Sequence, residues 1–90
     1  MLSAIIHNRF EKDIELCKKR GYDLQKIKDV MKLLIFEQPL DKKFKNHKLK
    51  GNYAPRSECH IEPDWLLIYR INKVNSEIIF ERTGTHSDLF

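Results

Sequence analysis

Ninety residues, 41% hydrophobic and 33% charged, are enough for one globular domain over residues 1–90 with a single modest core and too few for two. Seventeen Lys and Arg against 13 Asp and Glu leave a net charge of +4 and a pI near 9.1, which suits an anionic partner without requiring one. Cys17 and Cys59, at no C-x-x-C spacing, read as reduced core thiols, and no apolar run approaches the roughly 18 residues of a membrane span, so neither a cysteine-built zinc site nor a membrane-spanning helix is expected. With no secretory leader pattern at the N-terminus, the expected location is the cytoplasm.

Residues 2–7 are short and β-branched enough for a first strand that ends at His7. Asn8 is expected to cap a first helix, with Glu11 completing a capping box, and Phe10, Ile14 and Cys17 recur at i, i+4 and i+7 as its buried face. That helix ends on Lys18-Lys19-Arg20, cations at the negative end of its dipole, and on Gly21, free to turn left-handed. Asp23 caps a second helix whose stripe of Leu24, Ile27, Met31 and Leu34 is widened by Val30 and Ile35, until Gln38-Pro39 stops it. The short connection predicts an antiparallel helix hairpin.

Residues 38–56 have no sustained period and include Pro39, Gly51 and Pro55, a long connection for so small a domain. Within 41–56 six basic residues, Lys42, Lys43, Lys45, Lys48, Lys50 and Arg56, face one acid, Asp41, with His47 and Tyr53 interleaved. A solvated lysine-rich loop would look like this. The length, charge sign and aromatic content favour a phosphate-binding surface for RNA over that plainer account.

If residues 57–62 are extended, alternation puts Cys59 and Ile61 on one face and Glu58, His60 and Glu62 on the other. Pro63 ends the strand, Asp64 sits in the turn, and Trp65-Leu66-Leu67-Ile68-Tyr69 is apolar on both faces, as a central strand is. Residues 72–75 read as a hairpin loop and 77–82 as the next strand, with Ile78, Phe80 and Arg82 on one face and Glu77, Ile79 and Glu81 on the other. Thr83-Gly84-Thr85 then breaks that strand and carries His86 into a short tail ending at Phe90. The expected fold is α+β: a strand, the helix hairpin, then a three-strand antiparallel meander whose sheet carries both helices on one face.

Of the four histidines, His47, His60 and His86 occupy exposed-type positions around that meander, together with Asp64, Arg56 and Arg82. Such a set fits cleavage of RNA by its own 2′-hydroxyl: a base takes the hydroxyl proton, the oxygen attacks the adjacent phosphorus, and an acid protonates the departing 5′-oxygen. A cationic side chain stabilises the charge that develops, and neither a metal nor another cofactor is required. Two other readings fit the same residues: a zinc site assembled by the fold alone, and a basic RNA- or partner-binding module without turnover.

The runs His47 to Gly51, Arg56 to Tyr69 and Phe80 to Phe90 resemble the YafQ branch of the RelE/ParE superfamily of bacterial toxins, and the layout of the preceding strand and helices is similar too. The resemblance implies a RelE-like fold and a ribosome-dependent endoribonuclease that cuts messenger RNA. It also implies inhibition by a cognate antitoxin protein, with operon DNA bound only through the antitoxin complex. On this resemblance the active-site residues fall on His47, His60, Asp64, Arg82, His86 and Phe90. His86 would be the general acid, with Asp64 or His60 as base or orienting group; Arg82 would hold the scissile phosphate, and Phe90 or Trp65 would support the site or stack on a base. Glu58 is given no catalytic role and is expected to pair with Arg56. ParE-type members of the superfamily share the fold but act on gyrase and lack this histidine set.

Overall fold

The computed structural model describes all 90 residues. In chain order the elements are β1 (Ser3–Ile6), α1 (Asn8–Lys19), α2 (Leu24–Ile35), β2 (His47–Lys48), β3 (Ser57–Glu62), β4 (Trp65–Asn72), β5 (Glu77–Gly84) and α3 (His86–Leu89). The five strands form one sheet in the order β1, β5, β4, β3, β2. β1 lies parallel beside β5 and every other pair is antiparallel, so the expected meander is present as β3, β4 and β5. The architecture is α+β, and no helix is long and apolar enough to cross a membrane.

Both long helices lie on one face of the sheet. Phe10 and Cys17 of α1 and Ile27, Val30 and Leu34 of α2 share one buried cluster with Cys59, Trp65, Leu67, Tyr69, Ile78 and Phe80 from the strands. The caps differ in detail from the expected ones. His7, not Asn8, precedes the first turn, and its Nδ1 accepts the Arg9 amide at 3.3 Å while its carbonyl accepts from Glu11. Helix α1 closes as expected, with Gly21 at φ 80° and the Tyr22 and Gly21 amides returning to the carbonyls of Cys17 and Lys18. Helix α2 starts on Asp23 and ends on the same motif without glycine: Glu37 takes φ 57°, and Gln38 donates to the Leu33 carbonyl.

The long 38–56 connection is more ordered than its sequence suggests. Short 3-10 turns at Lys42–Phe44 and Gly51–Tyr53 flank β2, a two-residue strand that adds to the edge of β3. The Tyr69 hydroxyl donates to Asn46 Oδ1 at 2.6 Å and Leu40 and Phe44 pack on the core, while within the connection the Leu49 amide donates to the Arg56 carbonyl.

Two extra residues in the strands redirect their neighbours. On β3, His60 faces Leu66 while Glu62 faces Trp65, which leaves Ile61 as a bulge. Glu62 therefore turns to the helix side, where Lys26 of α2 meets it at 2.7 Å, and does not share a face with Glu58 and His60. On β5, Phe80 faces Tyr69 while Arg82 faces Ile68, so Glu81 is the extra residue. Arg82 is thereby opposite Ile68, off the face of Ile78 and Phe80, and the strand continues through Thr83 to Gly84 instead of breaking after residue 82.

Continuing the strand places Thr83 in the core. Its Oγ1 donates to the Leu66 carbonyl at 2.6 Å and accepts from the Trp65 indole at 2.9 Å, so the buried indole N–H and the hydroxyl satisfy each other. Thr83→Val keeps the shape but leaves that N–H without an acceptor. Urea unfolding is expected to show a loss of about 1–3 kcal/mol; a variant as stable as the wild type would contradict this account of the strand end.

Candidate active site

The register of the sheet gathers the three histidines. His47 on β2 is the Cα partner of Glu58, and His60, two residues along β3, faces Leu66, which in turn faces Gly84 at the end of β5. His86 follows two residues later in the first turn of α3. The outcome is a row, with ring centres of His47 and His60 at 6.4 Å and of His60 and His86 at 5.8 Å.

Each ring is oriented by an oxygen. His86 Nδ1 lies 2.6 Å from Asp64 Oδ1, and the same oxygen accepts the His86 backbone amide at 3.0 Å. A carboxylate only accepts, so Nδ1 carries the proton and Nε2 points away from it. Those bonds, the backbone one first, hold the Asp64 carboxyl below its ordinary range, so it stays charged. His60 Nδ1 donates to the Pro63 carbonyl at 3.2 Å, which likewise leaves Nε2 as the unprotonated nitrogen of the neutral ring. His47 Nδ1 donates to the Lys45 carbonyl at 2.6 Å and its Nε2 lies 3.1 Å from Glu58. Glu58 thus faces His47 and is buried; it does not pair with Arg56, whose Nε is taken by Glu81 at 2.8 Å.

Helix α3 carries His86 and leads into Phe90, and four residues cannot sustain a helix on their own. Thr85 and Asp88 form a reciprocal capping box, and Arg20 from the end of α1 grips Asp88 at 2.6 and 3.1 Å. Gly84 makes the approach possible, since a Cβ there would meet Asp88 Oδ2 at 2.8 Å.

The other candidates take varied positions. Phe90 is half-exposed and its ring meets Tyr53 edge-on at 5.2 Å. Arg82 donates from Nε and Nη2 to Asp13 of α1 and lines a neighbouring cleft with Arg56 and Tyr53. Lys42, Lys43, Lys45, Lys48 and Lys50 are exposed and none is in an ion pair, while Arg56 is tied to Glu81. Trp65 is 1% exposed and belongs to the core, not to a stacking surface. Burial pushes the Cys59 thiol up to about 12 and also raises Cys17, so neither is a nucleophile. Tyr53 was read in sequence only as an aromatic of the basic loop, and Glu58, Arg20 and Asp88 were not legible as site residues. Only the spacing of Thr85 from Asp88 carried a signal, that of a capping pair.

A family model described as the bacterial toxin of a type II toxin-antitoxin system, YafQ, matches residues 2–90. The chain belongs to the YafQ toxin family. Among its YafQ relatives, the mRNA interferase toxin YafQ of Escherichia coli K12 is 42% identical over 83 residues, 91% of this chain and 88% of that one. The E. coli DinJ-YafQ complex superposes with a TM-score of 0.91 at 38% identity, covering 100% of this chain and 99% of that one. A metal-bound toxin from Helicobacter pylori superposes at 0.94 with 41% identity over the whole of both chains. In this YafQ-family chain no three His, Cys, Asp or Glu side chains converge on a point that would hold a metal ion.

The Arg20 pair should mark the acid stability of this YafQ-type fold. Arg20 holds the Asp88 carboxyl well below its usual value of 3.8, so the stability it contributes is present above that value and is lost as pH falls toward the folded-state one. Below about pH 4 the wild type should lose stability more steeply with pH than Asp88→Asn, measured by denaturant unfolding at fixed pH values. Parallel acid limbs would contradict the assignment.

Proposed function

We propose that this protein is the toxin of a type II toxin-antitoxin system and an mRNA interferase, an endoribonuclease that cuts messenger RNA on the ribosome. The family, the name carried by its relatives and the histidine row support this reading. The row is the observation that carries the chemistry: two rings whose outward nitrogens are Nε2, 5.8 Å apart between centres, one of them steered by a carboxylate.

In the mechanism we infer, His60 Nε2 accepts the proton of the 2′-hydroxyl, whose oxygen attacks the adjacent phosphorus. His86, held by Asp64 and protonated, donates from Nε2 to the departing 5′-oxygen. The P–O5′ bond breaks as the P–O2′ bond forms, leaving a 2′,3′-cyclic phosphate and a 5′-hydroxyl. His47, in its protonated form, presents charge to the phosphoryl oxygens from beside Glu58, and Arg82 does so from the neighbouring cleft. Asp64 does not itself move a proton; it fixes the ring, as a carboxylate does beside any catalytic imidazole. Phe90, with Tyr53, supports the end of α3 and offers an aromatic surface to a base.

The exposed lysines from Lys42 to Lys50, with Arg56 behind them, would meet RNA phosphates, and the reaction would take place in the cytoplasm where translation does. The E. coli relative is solved with DinJ, and this chain is expected to be held inactive by its own cognate antitoxin covering the same surface, with operon DNA engaged only through that complex.

Cleavage of a translating messenger, mapped by primer extension with purified protein, should fall by roughly a hundredfold or more in His86→Ala. If both proteins bind ribosomes and neither cuts, the protein is a binding module and the reading fails. Separately, Gln at Lys42, Lys43, Lys48 and Lys50 should flatten the salt dependence of ribosome binding by about 0.7 in log-log slope per lysine. An unchanged slope would remove the loop from the RNA interface.

A further inference from the structure

Beside the histidine row lies a cleft of about 410 Å³, in which Arg82, Arg56 and Tyr53 already have a part in the proposed reading while His7, Arg9 and Asn52 have none. Its walls come from four places in the chain: His7 and Arg9 at the start of α1, Asn52 and Tyr53 of the basic loop, Arg56 ahead of β3, and Arg82 of β5, over a floor that includes Ile68. We propose that this cleft is a nucleotide subsite, which takes the RNA residue next to the one being cut, with its phosphate against the arginines and its base on Tyr53. The inference rests on the RNA-cleaving reading of the neighbouring row.

Size and charge fit. The volume falls within the range of small-ligand pockets. Three arginines line the cleft against one carboxylate, Glu81, and two of them are already fixed in place: Arg56 by Glu81, and Arg82 by Asp13, which engages its Nε and Nη2 and leaves Nη1 free of any partner. Arg9 is the telling member. Of the five arginines in the chain, the other four each have a carboxylate oxygen within 2.8 Å, and Arg9 has no ion-pair partner at all. Pre-positioned forks around an uncommitted guanidinium are what a phosphate needs, since arginine donates two parallel hydrogen bonds to such an anion.

The remaining groups suit a nucleoside. Tyr53 is 46% exposed and keeps free ring surface although its ring meets Phe90 at 5.2 Å. The Phe90 amide donates to the His86 carbonyl, so that aromatic pair sits one helical turn from the histidine row. His7 accepts the Arg9 amide at Nδ1, so its Nε2 is the protonated nitrogen of the neutral ring and a donor, while the Asn52 amide offers both a donor and an acceptor to a base edge. An acidic protein segment would use the arginines equally well but would leave the stacking ring and the amide without a purpose.

The test measures binding to ribosomes programmed with a short messenger that carries a 2′-deoxy nucleotide at the mapped cut site, so that binding is read without turnover. Arg9 has no ion pair to lose, so Arg9→Ala should fold; it should bind about tenfold more weakly, with a log-log salt slope smaller by about 0.7. Tyr53→Leu should weaken binding by a similar factor with the slope unchanged, because it removes a stack and no charge, and Tyr53→Phe should bind as the wild type. Lys28→Ala, which removes one exposed charge from α2 outside the cleft, should have no effect. With an unmodified messenger both weakened variants should raise KM, and Arg9→Ala should leave kcat within about threefold of wild type. Wild-type binding by Arg9→Ala and Tyr53→Leu, an equal loss in Lys28→Ala, or a loss of antitoxin affinity with RNA binding intact would each overturn the subsite. A wild type that binds but never cuts would instead sink the catalytic reading, and the binding series would still decide the cleft.

Discussion

The contact on which the site most depends is the two-pronged grip of Arg20 on Asp88, joining residues 68 positions apart in the chain. A one-turn helix cannot hold its own shape, yet α3 places His86 and is followed at once by Phe90. The grip works because the Lys18-Lys19-Arg20 end of α1 closes on Gly21 and so presents Arg20 at a defined point, and because Gly84 lets Asp88 come close enough to cap Thr85. The cations at the helix end are thus more than complements of its dipole: one of them fastens the tail that carries His86 to the scaffold.

The sheet has the complementary task. One face is spent on the helix-covered core, and the other must display polar chemistry over strands that are themselves buried, Leu66 and Ile68 among them. Two bulges make this possible. The extra Ile61 sends Glu62 to Lys26 on the helix side and keeps a second carboxylate away from His60; the extra Glu81 turns Arg82 onto the second face and lets Thr83 drop into the core under Trp65. Bulges beside active sites serve in this way to aim side chains that strict alternation would misplace.

How much of this could be read in advance follows from the range over which each signal acts. The helix hairpin was legible because Phe10, Ile14 and Cys17, and then Leu24, Ile27 and Leu34, repeat within single elements, and because Gly21 and Asp23 are local end signals. The outward placing of His60 and the turn position of Asp64 followed from the same short-range reasoning. Strand β2 was not legible: two residues have no period, and its order comes from pairing with β3 and from Tyr69 acting across the fold. The bulges escaped for a related reason, since counting alternation along one strand cannot reveal an extra residue that only the partner strand defines; hence Glu62 and Arg82 were assigned to the wrong faces. Glu58 was placed with Arg56 by proximity in sequence, whereas the cross-strand register gives it to His47.

The proposed reaction requires that RNA be cut by its own 2′-hydroxyl between His60 and His86. The nature of the ends formed tests it most directly. Messenger fragments should carry a 2′,3′-cyclic phosphate, or the 3′-phosphate it opens to, and a 5′-hydroxyl, and a single 2′-deoxy nucleotide at the cut should abolish cleavage there. A 5′-phosphate with a 3′-hydroxyl, or undiminished cutting at the deoxy position, would mean that water or another nucleophile attacks the phosphorus, and the histidine row would need a different role.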